Sequence, residues 1–288
     1  MKPLAWDLVQ LLRRNRDGSR ATQYARKKIV MQFAQNVQAS GARNKRLSNL
    51  KQQDFARAIQ GWKKENLSDA TLRNRVTALR WVAEKIGKPD LVAKDNQTLG
   101  LRPRSGTASQ SKARVLVDHT LGRVTHDHVR HSLQLQAAFG LRRAEAMKIQ
   151  PAWADRGDKL VLKASWTKGG RPREIPIRTP EQRVILNAAR VFAGNGSLIP
   201  PMKSYREHVN TWERETKQAG LSKTHGLRHA YAQNRYLDLT GRKPPVLGGT
   251  RTRDLAPDLR PEDRRVRLQI AQELGHSRID ITNAYLGR

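Results

Sequence analysis

A histidine and an arginine three residues apart stand in the hexapeptide Thr224-His225-Gly226-Leu227-Arg228-His229. On one helical turn both side chains can converge on a single phosphate. The guanidinium offers two donors in a rigid fork, and the imidazole beside it can give or take a proton. A phosphate-handling site of this kind calls for a second arginine, a lysine and a nucleophile. The chain holds them in separate pieces: Gly140-Leu141-Arg142, Lys168-Gly169-Gly170, Leu274-Gly275-His276, and Tyr285 nine residues beyond that histidine. Each piece alone has a plainer reading. An Arg142-Arg143 pair in a helix is usually surface charge, a lysine beside turn glycines is usually solvated, and a tyrosine near a chain end usually packs.

Taken together, the five pieces resemble the tyrosine recombinase (phage-type integrase) family, over roughly residues 113–288. The resemblance implies that Arg142, Lys168, His225, Arg228, His276 and Tyr285 are catalytic, with Glu145 and His229 in support. Arg142 matches the family's Gly-Leu-Arg-x-x-Glu pattern, and Glu145, one turn on, is close enough to hold its guanidinium. Arg143 keeps its surface reading, and for His229 a core role is at least as good as a catalytic one. Arg142 and Arg228 would neutralise the non-bridging oxygens of a DNA phosphodiester, and Tyr285 would attack its phosphorus. A phenol has a reference pKa of about 10, so Tyr285 must lose its proton during attack, assisted by His225 or by the arginine field. Lys168 would protonate the departing 5′ oxygen, and His276 would hydrogen-bond a phosphate oxygen. The product is a 3′-phosphotyrosyl enzyme that keeps the bond energy for rejoining without ATP. The arginines supply the charge that a divalent ion would otherwise bring, so neither a metal nor a cofactor is expected.

Composition agrees with a polyanionic partner. The chain has 288 residues, with 56 Lys and Arg against 25 Asp and Glu, for a formal charge of +31. The excess is spread: residues 1–100 hold 21 basic against 8 acidic residues, and residues 101–288 hold 35 against 17. Both halves are therefore expected to contact double-stranded DNA. Aromatic residues make up only 5%, which argues against single-strand stacking as the main mode. A membrane is the competing polyanion, but there is no long apolar run and no signal peptide. The absence of cysteine excludes disulfides and thiolate chemistry, and suits a cytoplasmic, nucleoid-associated, bacterial setting.

The elements that must position these residues read as mainly α with a small β-hairpin. Residues 1–95 are expected to form a helical core-binding DNA-binding domain. Its helices are marked by Trp6 to Leu12, by Ala21, Ala25, Ile29, Phe33 and Val37 with Arg26, Lys27 and Lys28 opposite, by Phe55, Ile59 and Trp62, and by Leu72 to Ile86 with Ser68 as cap. A basic linker rich in Gly, Ser, Thr and Pro spans 96–113, and a catalytic domain spans 114–288. In the latter, Thr125 is placed to cap a helix carrying Val129, Leu133 and Ala137 that breaks at Gly140. Lys159–Lys163 and Arg173–Ile177 alternate as strands about the turn at Lys168. His126, Asp127, His128 and His131 invite a metal reading, but nothing pairs them with further ligands. Pro261 opens a helix with Val266, Ile270 and Leu274 as its buried stripe. The 47 residues between Arg228 and His276 exceed what the family resemblance leads one to expect, so an insertion is placed at about 236–260.

The resemblance further implies a homotetramer on paired recombination sites, with accessory DNA-bending proteins as further partners, and an integrase of a mobile genetic element. Two readings compete: a type IB topoisomerase-like enzyme that relaxes one duplex, and a catalytically vestigial basic DNA-binding protein.

Overall fold

A computed structural model describes residues 2–41, 44–103 and 105–288, and the chain divides into two compact units, residues 1–104 and 105–288. The first unit holds α1 (Pro3–Arg14), α2 (Arg20–Ala39), α3 (Gln52–Lys64) and α4 (Asp69–Lys85). Short polar side chains start two of them. Ser19 accepts from the Thr22 N–H at 3.2 Å, and Ser68 from the Thr71 N–H at 3.3 Å, each satisfying a donor that the first turn leaves free. Leu4, Leu8, Val30, Phe33, Val37, Phe55, Ile59, Trp62, Val76 and Leu79 form the core, with the Phe33 and Phe55 rings stacked 4.8 Å apart.

The inward face of α2 differs from the expected stripe. Ala21 and Ala25 are exposed, and the buried face runs through Val30, Phe33, Ala34 and Val37. A repeat of four drifts by about 40° per step around a helix of about 3.6 residues per turn. The stripe therefore meets the core only at its C-terminal end. Arg26, expected on the opposite face, lies over the Trp81 ring at 4.1 Å.

The second unit holds α5 (Asp118–Gly122), α6 (Asp127–Phe139), α7 (Arg143–Lys148), α8 (Pro151–Ala154), β1 (Lys159–Leu162), β2 (Arg173–Pro176), α9 (Pro180–Ala193), α10 (Tyr205–Gln218), α11 (Gly226–Thr240), α12 (Arg260–Glu273) and α13 (Asn283–Leu286). The strands pair antiparallel, Lys159 opposite Pro176 and Leu162 opposite Arg173, and Lys168 lies in their connection. Leu135, Phe139, Leu141, Leu160, Leu162, Ile175, Leu186, Tyr236, Ile270, Leu274 and Leu286 form one core around them. Thr125 does not cap α6. Its N–H and hydroxyl, with the His126 N–H, all donate to one oxygen of Glu215 on α10, at 3.0, 2.9 and 3.1 Å. A carboxylate there also meets the positive end of the helix.

The expected linker is largely tied down. Arg80 fans out to the carbonyls of Ala93 and Asp95 and to the Asn96 side chain, and Leu101 is buried in the first unit's core. Farther on, the Ala108 N–H donates to the Asn283 carbonyl at 2.9 Å and the Arg114 N–H to the Gly226 carbonyl at 3.0 Å, so this part belongs to the second unit. Arg104, between them, lies outside the described residues, as do Met1, Ala42 and Arg43 of the expected N-terminal domain. The stretch 236–260, expected as an insertion, begins and ends in helix. Residues 236–240 are the last turn of α11, with the Tyr236 hydroxyl donating to Asp263 at 2.5 Å, and Arg260 already belongs to α12. Between them, Pro245–Leu247 packs on α13 and Leu255 is buried.

The histidines at the start of α6 meet aromatic neighbours. His126 and His128 lie 5.7 and 6.1 Å from His208 of α10, ring centre to ring centre, and His128 and His131 lie 4.7 and 4.6 Å from Phe192. His208 is fully buried, and only the Leu198 backbone favours its charged form. Desolvation, then His126, His128 and Lys203, push its pKa down to about 4, and desolvation lowers those of His126, His128 and His131 as well. Glu215 and Asp127 oppose the shift at His126, with Arg214 adding to it. Among the described residues no group of three His, Asp or Glu is arranged to hold a metal ion.

A histidine whose folded pKa lies below its unfolded value of about 6.5 resists protonation in the fold. The unfolded chain then takes up protons first, so this stability is whole above that value and is lost as pH falls towards about 4. His208→Phe keeps a ring and removes the titration. Its melting temperature should fall less steeply between pH 6.5 and pH 4 than that of the wild type; equal slopes in thermal melts would refute the assignment.

Candidate active site

The first arginine is placed by a turn and a cap. α6 ends at Gly140 in the left-handed region, φ 60°, and a Cβ there would lie 2.5 Å from Cδ1 of Tyr231. Glycine is therefore required on both counts. Two residues on, Arg142 caps α7, and Glu145 reaches back to it: Oε2 accepts the Arg142 N–H and Oε1 accepts from Nη1, both at 2.7 Å. The guanidinium is thus held by the carboxylate one turn along, as the spacing predicts. Arg143 turns outward to Glu213 at 3.1 Å.

Glu145 is itself fully buried and carries a second guanidinium. Arg173, the first residue of β2, donates through Nη1 to Oε1 at 2.9 Å and through Nη2 to Oε2 at 2.7 Å, while its Nε donates to the Glu273 carbonyl at 2.9 Å. Burial works to raise the Glu145 pKa, but Arg173 first and Arg142 second overcome it and hold the carboxyl at about 2. It stays ionised at any ordinary pH. Sequence reading missed Arg173, although one signal was present: it is in phase with Ile175, so both face inward on the strand.

Arg228, on the first turn of α11, is wholly buried. Its Nη1 donates to the Gly140 carbonyl at 2.6 Å, its Nη2 to the Leu274 carbonyl, and its Nε to the Tyr285 hydroxyl at 3.2 Å. One side chain therefore gathers the Gly140 turn, the Leu274-Gly275-His276 turn and α13. Desolvation lowers its pKa to about 10, with Tyr285 opposing and Arg142 and Arg173 adding, so it remains charged at neutral pH. Nη2 also lies 3.4 Å from Nε2 of His276. A guanidinium has only donors, so Nε2 of His276 accepts and its proton sits on Nδ1. Burial, then Arg228 and Arg142, push the His276 pKa down to about 4.

Tyr285 is 6% exposed, with its carbonyl held by Nε2 of Gln233 at 2.9 Å. The His229 ring packs 4.6 Å from the Tyr285 ring, and its Nδ1 is buried with no hydrogen-bond partner. His225 stands at the exposed start of α11, its ring 6.3 Å from that of Tyr285. Burial of part of the ring, then Arg228 and Arg142, lower its pKa, so it is neutral at pH 7. Lys168 is the exception. It is exposed on the β1–β2 connection, and among the described residues no hydrogen bond or ion pair joins it to the cluster.

Two family models match the chain: one described as "Phage integrase, N-terminal" over residues 1–92, and one described as "Integrase" over residues 100–234. The chain belongs to the tyrosine recombinase family. Its activity is site-specific DNA recombination, by strand breakage and rejoining through a phosphotyrosyl intermediate. The fold is shared with solved structures at low identity. A lambda integrase (75–356) dimer bound to a COC′ core site superposes with TM-score 0.62 at 13% identity, covering 97% of this chain and 94% of that one. XerH recombinase on a palindromic difH substrate gives 0.60 at 16%, covering 98% and 80%. The Tn1549 transposon integrase with circular intermediate DNA gives 0.58 at 14%, covering 99% and 95%. No curated protein matches the chain in sequence.

The catalytic-family match ends at residue 234, before His276 and Tyr285. In this recombinase the contacts of Arg228 tie those two residues to the matched part. Electrostatically, two guanidiniums share the Glu145 carboxylate, a third is held by carbonyls and the Tyr285 hydroxyl, and the neighbouring histidines are neutral, a cluster suited to an anion and to further negative charge developing on it. Gly140 underlies the arrangement, since its turn supplies an acceptor for Arg228. Gly140→Ala should cost about 1–3 kcal/mol from the left-handed backbone alone and displace Tyr231. The urea midpoint should drop and cleavage of DNA should fall with it; an unchanged midpoint would contradict the role given to this turn.

Proposed function

We propose that Arg142, Lys168, His225, Arg228, His276 and Tyr285 cleave duplex DNA at one phosphodiester, with Tyr285 as nucleophile. The observation that carries this reading is the Tyr285 hydroxyl on Nε of Arg228, whose other nitrogens hold the turns bearing Arg142 and His276. A positive charge beside the phenolic oxygen stabilises the phenolate that attack requires. The Tyr285 oxygen bonds to phosphorus, the bond from phosphorus to the 5′ oxygen breaks, and the departing oxygen takes a proton from Lys168. The phenolic proton goes to neutral His225 or to solvent under the arginine field. Arg142 binds one non-bridging oxygen, Arg228 binds another once DNA draws its nitrogens from the carbonyls and hydroxyl they otherwise hold, and the His276 N–H donates to one of these oxygens. Lys168 reaches the site by movement of the β1–β2 connection. Rejoining is the reverse, with a 5′ hydroxyl as nucleophile.

Residues 1–104 act as the core-binding unit, and both units bind double-stranded DNA through their basic surplus. Lambda integrase is known as a dimer on a core site and as a tetramer on a Holliday junction, which supports a tetramer on paired sites here. The Tn1549 enzyme is a transposon integrase, which supports a mobile element as the source of the substrate. No helix among the described residues is long and apolar enough to cross a membrane; a nucleoid-associated bacterial enzyme is the setting this chemistry fits.

A nicked suicide duplex tests the chemistry. Tyr285→Phe should bind it yet trap no covalent adduct, and adduct at the wild-type level would remove Tyr285 from its role. Arg142→Ala should lose cleavage by about a hundredfold or more with little change in affinity, Arg228→Ala should lose cleavage and stability together, and Arg143→Ala should stay near wild type. Equal losses at Arg142 and Arg143 would undo the choice between them.

Lys168 needs a separate measurement because it stands apart from the cluster. A thiolate leaves without protonation, thiols having a pKa of about 8.5. Lys168→Ala should therefore be slow on the natural substrate and fast on one with a 5′-bridging sulfur. Equal slowing on both substrates would show that Lys168 is not the acid.

A further inference from the structure

We propose that Arg173 is a positioning residue for DNA cleavage, setting Arg142 through Glu145 and the His276 turn through the Glu273 carbonyl. The inference rests on the active-site reading above and adds a residue to it.

Each donor of Arg173 that is hydrogen-bonded serves another part of the site. Its fork closes on both oxygens of Glu145, which fixes the plane of the carboxylate, and that plane decides where Oε1 meets Nη1 of Arg142. Its Nε holds the last carbonyl of α12, immediately before Leu274-Gly275-His276. The fit at this turn is close. Gly275 has φ 69°, and a Cβ on it would lie 2.9 Å from Nη1 of Arg173 and 3.4 Å from Nη1 of Arg142. Both guanidiniums thus press on the turn whose neighbouring carbonyl, that of Leu274, also anchors Arg228. Arg173 is 8% exposed, and its Nη1 and Nη2 both engage Glu145, so it is not offered as a phosphate ligand. A lysine cannot replace it, because an ammonium is a point charge and cannot span two carboxylate oxygens and a carbonyl in fixed geometry.

A buried ion pair that only stabilises the fold would show itself in melting alone. A positioning role shows itself in the chemical step, because a misplacement of about 1 Å can cost about a hundredfold. It also leaves a mark in pH dependence. Glu145 faces Arg142 at the start of its own helix, Arg173 on β2, and His276 and His225 from the other elements around it. With both arginines in place it is ionised throughout the accessible range. Without the Arg173 fork, burial is opposed chiefly by Arg142, so the carboxyl pKa rises and protonation removes an acceptor from Arg142 as pH falls.

The experiment compares wild type, Arg173→Lys, Glu145→Gln and the double variant on the nicked suicide duplex, in single turnover from pH 5.5 to pH 8.5, with DNA affinity measured in parallel. Arg173→Lys should bind DNA within about twofold of wild type and cleave about a hundredfold more slowly. The ratio of its rate to wild type should fall further as pH is lowered, and Glu145→Gln should abolish that fall. The double variant should be little slower than the slower single one, since the two residues act in series. Wild-type cleavage by Arg173→Lys, a ratio independent of pH, or multiplicative losses in the double variant would each overturn the assignment. A wild type that traps no adduct would instead sink the active-site reading, and this inference with it. Should Arg173→Lys fold poorly, Arg173→Gln, neutral and unable to close the fork, gives the same comparison.

Discussion

A guanidinium with no exposed surface is the constraint on which the second unit depends. Taking that charge out of water is expensive, and it is tolerated only where every face of it meets an acceptor. Arg228 meets the carbonyls of Gly140 and Leu274 and the hydroxyl of Tyr285, groups brought from three distant parts of the chain. If any of the three segments strays, the charge is left without a partner. Folding of the unit and assembly of the site are therefore the same event around this side chain.

The local charge balance follows from the same centre. Glu145 compensates two of the three guanidiniums directly, and burial together with the arginines keeps His225, His229 and His276 uncharged at pH 7. Neutral imidazoles can accept or pass a proton where imidazolium could only donate. In the proposed reaction the arginines supply fixed positive charge and the histidines supply proton mobility, so the two tasks of phosphoryl transfer fall to different residue types. Burying the charges costs stability, and the apolar cluster of Leu135, Phe139, Leu160, Ile175, Ile270 and Leu274 beneath them offsets it.

Strong local periodicity was legible. The helices carrying Phe55 to Trp62, Leu72 to Ala83 and Val266 to Leu274, and the hairpin around Lys168, lie where the pattern of apolar residues puts them, because burial on one face imposes that pattern. The face of α2 was misjudged by a repeat of four that does not match the helical period. The cap at Thr125 was misassigned because its true partner, Glu215, is 90 residues away. The linker looked free by composition, yet Arg80 and Gly226 hold its two ends through backbone groups that leave no mark on residue type. Length alone marks the region from 236, and nothing in its composition shows that its first residues complete α11.

The groups proposed to react are all named by the sequence alone. Phosphate chemistry demands arginine, histidine, lysine and a nucleophilic hydroxyl in short motifs whose spacing is set by single turns of helix or hairpin. Their convergence was decided only by the tertiary structure, which joins Arg228 to Tyr285 across 57 residues and Arg173 to Glu145 and Glu273 across 28 and 100. The reason is physical. A local motif records what a side chain can do, but hydrogen bonds to remote carbonyls and shared carboxylates exist only after the core has closed. Arg173, an ordinary strand arginine until that moment, becomes part of the site because β2 buries it there.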